Sequence, residues 1–252
     1  MEKKLNITFD TRWLALKQEF EQDPVKLAFK LFPRELNQYQ KKLITNKRIM
    51  TAITYCSGSG TTKGIAILAV LNMLFKPECP VNIYLLDSHK SPYVVRLKKY
   101  CFQLVQTLIQ SNPWIKLHLE GSELGIDYKD ASHGEGLHLV SMDNMDGYLD
   151  PFRDSEYGAL RIVTNAHRIP EKTFRMLMGF IVEEDDRLVM ISHPDDGESD
   201  FKTLFIENPS HIKTLTFKAI DSGLIGEAYL EQMTKKYPVG SKEYQRRFYG
   251  EW

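Results

Sequence analysis

The chain has 252 residues, 42% hydrophobic and 26% charged, with 33 Lys plus Arg against 33 Asp plus Glu. That length suits one large α/β domain, here 1–252, with a substantial core, and the composition is that of a soluble globular protein. Balanced charge excludes nucleic-acid binding by net charge alone and leaves only local basic patches for such contact. Cys56, Cys79 and Cys101 lack metal-ligand spacing and fit free thiols in a reducing compartment. MEKKLNITFD lacks the apolar run of a signal peptide, and Ile65 to Phe75, interrupted by Asn72, is too short to span a bilayer. A soluble, cytoplasmic protein with no membrane contact is expected.

In chain order, residues 11 to 32 carry Trp13, Leu16, Phe20, Leu27, Ala28 and Leu31 at helical spacing, with a break at Asp23-Pro24. A helical segment over 1–35 is therefore expected ahead of the sheet. PRELNQYQKKLI follows, then the strand Ile49–Tyr55, a small-residue loop from Cys56 to Gly60 and an apolar helix. VNIYLLD is a continuous apolar run ending in an acid, as a buried parallel strand requires. Ser91 caps the next helix, with Pro92 in its first turn. WIKLHLE, LGIDYKDA and GLHLVSM read as short strands. A polar segment, DNMDGYLDPFRDSEYG, leads to the buried-strand pattern LRIVTNAH. KTFRMLMGFIV reads as a helix, RLVMISH as a strand, HPDDGESD as a loop and IKTLTFKAI as a last strand. A helical segment over 215–252 closes the chain. Strands alternating with helices predict an α/β fold of the P-loop nucleotide-binding kind, a mostly parallel central sheet flanked by helices.

Strand, glycine loop and buried helix place backbone N–H groups around phosphates at a helix N-terminus. The motif G-x-x-x-x-G-K-[ST] adds a lysine for the outer phosphates and a hydroxyl for magnesium. Gly60 and Thr62 supply the glycine and the hydroxyl, but Thr61 stands in the lysine slot and Tyr55 in the leading glycine slot. A second register gives Lys63 the lysine slot and keeps less of the loop. Two positions into a helix, Lys63 points roughly 200° away from Thr61. Ser57, Gly58, Ser59, Gly60, Thr61 and Thr62 are the candidate phosphate-binding residues, with Thr62 the candidate magnesium ligand. In LRIVTNAHRIPE, Thr164 and Asn165 follow a strand where such ATPases carry two acids. Thr164 offers a hydroxyl without charge, and Asn165 can orient a water but not take its proton.

ELNQYQKKLI, CSGSGTT, LRIVTNAHRIPE, VMISHPDDGESDF and the terminal RRFYGEW, in that order, resemble the ATPase domain of phage large terminases, the motors that pump DNA into procapsids. The resemblance covers roughly residues 32 to 252. It implies Mg-ATP as cofactor, double-stranded DNA, portal and small terminase subunit as partners, and a homo-oligomeric ring. It makes Gln40 the adenine-reading glutamine, Ser192 the coupling residue after the third motif strand, and Thr164 and Asn165 the catalytic positions. Arg153 is the better candidate for an arginine finger, ahead of Arg96. The family's nuclease domain would follow the GEW turn, and with no residues after Trp252 no DNA cleavage is expected.

The family's lysine, aspartate and glutamate fall on Thr61, Thr164 and Asn165, so all three charges are missing from an otherwise matching frame. That pattern fits selected loss of catalysis or deliberate substitution. Weak or no hydrolysis is expected. The alternative is a catalytically silent, terminase-like binding module that contacts DNA, a portal or an active partner. Lys41-Lys42, Lys47-Arg48, Arg96 with Lys98-Lys99, and Arg246-Arg247 are the basic clusters available for DNA backbone. His118, His133 and His138 lack ligand-spaced partners, so no metal site is expected from them.

Overall fold

The structure, a computed structural model, describes residues 5–33, 35–86, 91–121, 125–131, 135–142, 158–179, 181 and 184–252. A 3₁₀ turn at Asn6–Phe9 leads into α1 (Thr11–Gln22), which Asp10 caps by accepting from the Arg12 N–H. The expected break falls at Asp23, whose carboxylate accepts from the N–H groups of Val25 and Lys26. That cap, with proline in the first turn, opens α2 (Pro24–Leu31). A capping box between Asn37 and Gln40 opens α3 (Gln38–Thr45).

β1 (Met50–Tyr55) runs into the small-residue loop and then α4 (Thr61–Phe75). β2 (Val81–Leu85) and the Ser91-capped α5 (Pro92–Ser111) follow. A 3₁₀ turn at Pro113–Leu117 precedes β3 (Leu119–Gly121), β4 (Gly125–Tyr128) and β5 (Gly136–Ser141). Then come β6 (Leu160–Thr164), a 3₁₀ turn (Ala166–Arg168), α6 (Glu171–Gly179) and β7 (Arg187–Ser192). The chain continues through α7 (Asp200–Glu207), β8 (Ile212–Phe217), α8 (Glu227–Lys236) and α9 (Lys242–Tyr244), which passes into a π turn at Gln245–Tyr249.

Among the described residues the sheet has eight strands in the order β3-β4-β5-β2-β6-β7-β1-β8. The pairings of β3 with β4 and β4 with β5 are antiparallel, and the others are parallel. The four apolar runs expected to be interior strands are β1, β2, β6 and β7, and all are interior. Successive strand residues alternate between two cores. Ile53, Ile83, Ile162 and Val189 face α4 and α5. Ala52, Tyr84, Val163 and Met190 face α6 and α7. Helix α4 is buried on nearly every side, which its near-continuous apolar sequence allows. The sequence reading leaves α7 unassigned: the polar loop before it masks Phe201 and Leu204, the two residues that dock it.

Among the described residues no helix is long and apolar enough to cross a membrane.

Candidate functional site

Parallel strands bring their carboxyl ends to one edge. With β7 between β1 and β6, Thr54 pairs with Ser192 and Thr164 with Ile191. The Cys56–Gly60 loop, Thr164, Asn165 and Ser192 therefore leave the sheet on the same side. Ligands of open α/β sheets bind at that edge.

The loop turns on Gly58 and Gly60, with φ of 88° and 80°, a region that L side chains enter only under strain. Gly60 is the N-cap of α4 and has no side chain to cap it, so the helix begins without a side-chain hydrogen bond to its first turn. An uncapped N-terminus beside a glycine loop fits phosphate oxygens.

Two amides brace the loop from behind. Asn37 Nδ2 donates to the Ser59 carbonyl at 2.9 Å, and Gln40 Nε2 donates to the Gly60 carbonyl at 3.1 Å. Gln40 Oε1 accepts from the Asn37 N–H, so both ends of this buried amide are engaged. In this conformation Gln40 fixes the loop; reading adenine would require it to change partners. On the other side, a Cβ at Gly58 would meet Ile225 Cδ1 at 2.5 Å, and one at Gly60 would meet Leu224 Cδ1 at 2.8 Å. Glycine is thus required by backbone angle, while the Ile225 and Leu224 side-chain tips would have to shift to admit a larger residue.

The positions expected to be charged are occupied by short polar groups that bond to the protein itself. Thr61 is buried and its hydroxyl lies 2.6 Å from the hydroxyl of buried Ser59. Thr164 is buried too, and its hydroxyl donates to the Tyr84 carbonyl of β2 at 3.1 Å. Asn165 adopts the left-handed conformation at φ 54° and opens the 3₁₀ turn that follows, a role asparagine fills with little strain. Ser57 is exposed and Thr62 half-buried. Lys63 lines a separate groove with Phe32, Leu36 and Tyr100.

Ser192 is fully buried and hydrogen-bonds His167 Nδ1, while His167 Nε2 stands 3.2 Å from a carboxylate oxygen of Asp195. This chain ties the end of β7 to the turn after β6. Beside it, His193 packs against Tyr55 with ring centroids 3.9 Å apart and the planes tilted by 40°. Burial pushes the His193 pKa down to about 4, so the ring is neutral at pH 7.

The C-terminal segment completes the edge. Gly250, in the left-handed conformation, brings its carbonyl to the Thr54 hydroxyl at 2.7 Å, and Trp252 packs on Phe201 and Phe205. A Cβ at Gly250 would meet only ordinary contacts, the nearest the Phe217 carbonyl at 3.4 Å, so the GEW turn favours glycine through its backbone angle. The preceding helix delivers Arg246 and Arg247 to a cavity of about 370 Å³ shared with Cys56, Ser57, His193 and Asp195. Arg246 is held there by both oxygens of Asp196.

Burial raises the thiol pKa of Cys56, Cys79 and Cys101 to about 12 each, so all three are inert as nucleophiles near neutrality. Among the described residues no cluster of three or more His, Cys, Asp or Glu is placed to hold a metal. Arg153 and Asp87 lie outside the described residues.

Asn37, Leu224 and Ile225 are not among the residues expected from sequence, and His167 is among them only as part of the matching motif LRIVTNAHRIPE. Asn37 had a local signal, Asn-x-x-Gln ahead of an apolar run. The contacts of the others join segments far apart in the chain.

No protein-family model matches this chain, and no curated protein matches it in sequence. Solved structures do resemble it. The ATPase domain of a Thermus phage large terminase, in an arginine-to-alanine mutant form, superposes with a TM-score of 0.64 at 15% identity over 89% of this chain and 97% of that one. The HK97 bacteriophage large terminase gives 0.58 at 12% identity, covering 86% of this chain and 51% of that one. A large terminase from a thermophilic bacteriophage, solved with ADP, gives 0.56 at 13% identity, covering 86% and 54%. The chain thus has the fold of phage large-terminase ATPase domains and spans about half the length of the two longer terminases.

Proposed function

We propose that this chain is a DNA-packaging motor domain of the large-terminase type, with a nucleotide site that binds phosphates through backbone and hydrolyses weakly or not at all. The observation that carries this reading is one edge of one sheet. It presents a glycine loop at an uncapped helix N-terminus, two strand ends beside it, and uncharged side chains at Thr61, Thr164 and Asn165. The residues present fit a nucleotide's phosphates better than its metal. Magnesium would find the Thr62 hydroxyl, without a carboxylate from Thr164 or Asn165. When bound, Mg-ATP would supply the phosphoryl group and the metal's charge neutralisation.

The chain's own residues hold and orient. Asn37 and Gln40 keep the Ser59 and Gly60 carbonyls turned back; the Cys56 and Ser59 N–H groups donate to backbone carbonyls, so Ser57, Gly58 and Gly60 are the loop residues whose N–H groups would meet phosphate. The Ser192–His167–Asp195 chain fixes the ends of β6 and β7 against each other, so a displacement at the loop reaches both strands. By the resemblance, double-stranded DNA, a portal, a small terminase subunit and further copies in a ring are the partners, and Arg153 is the candidate finger. A solved relative was captured with ADP and with ATP-gamma-S, which supports a nucleotide here.

The self-satisfied hydroxyls of Ser59, Thr61 and Thr164 favour a second reading, a silent module on the same fold that contacts DNA, a portal or an active partner. Thermal unfolding with and without Mg-ATP separates the two, since a ligand at a hundred times its Kd adds about 2.7 kcal/mol to stability. The motor reading expects a rise in Tm that Gly60→Asp abolishes, with turnover near background. An unchanged Tm at millimolar Mg-ATP selects the silent module. Robust turnover abolished by Gly60→Asp would overturn the account of lost hydrolysis.

A further inference from the structure

At the opposite edge of the sheet, where β7 begins, Arg187 lines a cavity of about 380 Å³ together with residues of α1, α3 and α4. Phe20, Pro24, Ile44, Ile49 and Leu160 give it largely apolar walls. The guanidinium makes one weak side-chain contact, Nη2 to the Leu43 carbonyl at 3.4 Å, and its Nε is sealed from water with no hydrogen-bond partner. Among the described residues no carboxylate pairs with it. Two acids at the cavity are already matched to other cations, Asp186 with buried Arg161 and Asp185 with Lys76. Glu21, Glu184 and Lys47 stand exposed at the rim. Burial alone pulls the Arg187 pKa down to about 10, so the group stays charged near neutrality. Arg187 is part-exposed, has no carboxylate partner among the described residues, and stands at the wall of a hollow large enough for a small ligand.

We propose that this cavity binds a small apolar monocarboxylic acid, its hydrocarbon body against the walls and its carboxylate paired with Arg187. An arginine offers carboxylate two parallel donors, and with Nε closed off the two terminal nitrogens form that fork. Asn46, Asn72 and Lys47 line the same cavity and are further donors. The site lies at the far end of β7 from Ser192 and does not rest on the nucleotide reading.

The probe is 4-phenylbutyrate, titrated calorimetrically into the intact protein, with neutral 4-phenylbutan-1-ol as the matched control. The proposal expects one site for the acid and at least about tenfold weaker binding of the alcohol. Arg187→Met should lose the acid's advantage, and Arg187→Lys should keep part of it. No heat with millimolar acid, or equal binding of acid and alcohol, would overturn the proposal whether or not the variants fold. Unchanged acid binding in Arg187→Met would overturn it too.

Discussion

β6 and β7 are charged at one end and neutral at the other. Where they begin, Arg161 and Asp186 form a buried ion pair, with side chains 3% exposed each. Where they end, Thr164 and Ser192 are buried as well, yet each is an uncharged hydroxyl satisfied inside the protein. The same two strands therefore hold ionised groups out of water where geometry supplies a partner. Burial by itself does not account for the uncharged side chains at the carboxyl edge. On the function proposed above, that edge retains a frame and lacks the chemistry the frame would position.

The comparison breaks most visibly at its charged end. Arg161→Met leaves Asp186 buried without its ionic partner and should cost about 3–5 kcal/mol, read as a fall in the urea midpoint. Arg161→Met with Asp186→Leu should recover most of that loss, so an equally unstable double variant would mean that the pair's other contacts dominate.

At the neutral end the largest effect is a pH dependence. His193 is deprotonated in the folded protein down to about pH 4, whereas in the unfolded chain it takes up a proton near 6.5. Between those values the unfolded state binds more protons, so this contribution to stability is present above 6.5 and is lost as pH falls toward 4. The loss amounts to roughly 3 kcal/mol. His193→Phe should flatten the stability profile over that window, measured by denaturant melts at stepped pH. An unchanged slope would assign the dependence to other groups.

A smaller effect lies in the loop. Gly60→Val forces a β-branched residue into a left-handed conformation against Leu224 and Asn37, costing about 1–3 kcal/mol. Loss of any Mg-ATP response should accompany it. Smaller still, Asn37→Ala removes both the α3 cap and the brace on Ser59, for about 1 kcal/mol. Faster amide hydrogen exchange over residues 57–60 should follow, and unchanged exchange would show that the brace is idle.

The sheet interior and the loop frame were legible in the sequence because continuous apolar runs and glycines are local signals. β1, β2, β6 and β7 each read as buried strands, and Gly58 and Gly60 as a turn entering a helix. Helix α7 was hidden because its eight residues are too few to show a clear helical period and follow an acidic loop. What surrounds the candidate site was less legible. The ties of Gln40 to Gly60, of His167 to Ser192 and Asp195, and of Ile225 to Gly58 span tens of residues, and no spacing rule encodes them. The engagement of Thr61 and Thr164 with the protein itself was equally invisible, since a threonine in sequence declares a hydroxyl but not its partner.

The central claim is that the frame for nucleotide binding persists without its charges. Its most direct test is the Mg-ATP affinity of the unmodified protein, of Thr61→Lys, and of Thr61→Lys with Thr164→Asp and Asn165→Glu. Glutamate at position 165 must enter a left-handed conformation, at about 1–2 kcal/mol, so folding is confirmed first by circular dichroism. The account predicts stepwise tightening, greatest in the triple variant, through lysine on the outer phosphates and acids on the magnesium shell. A triple variant that folds and binds Mg-ATP no more tightly than the unmodified protein would contradict it.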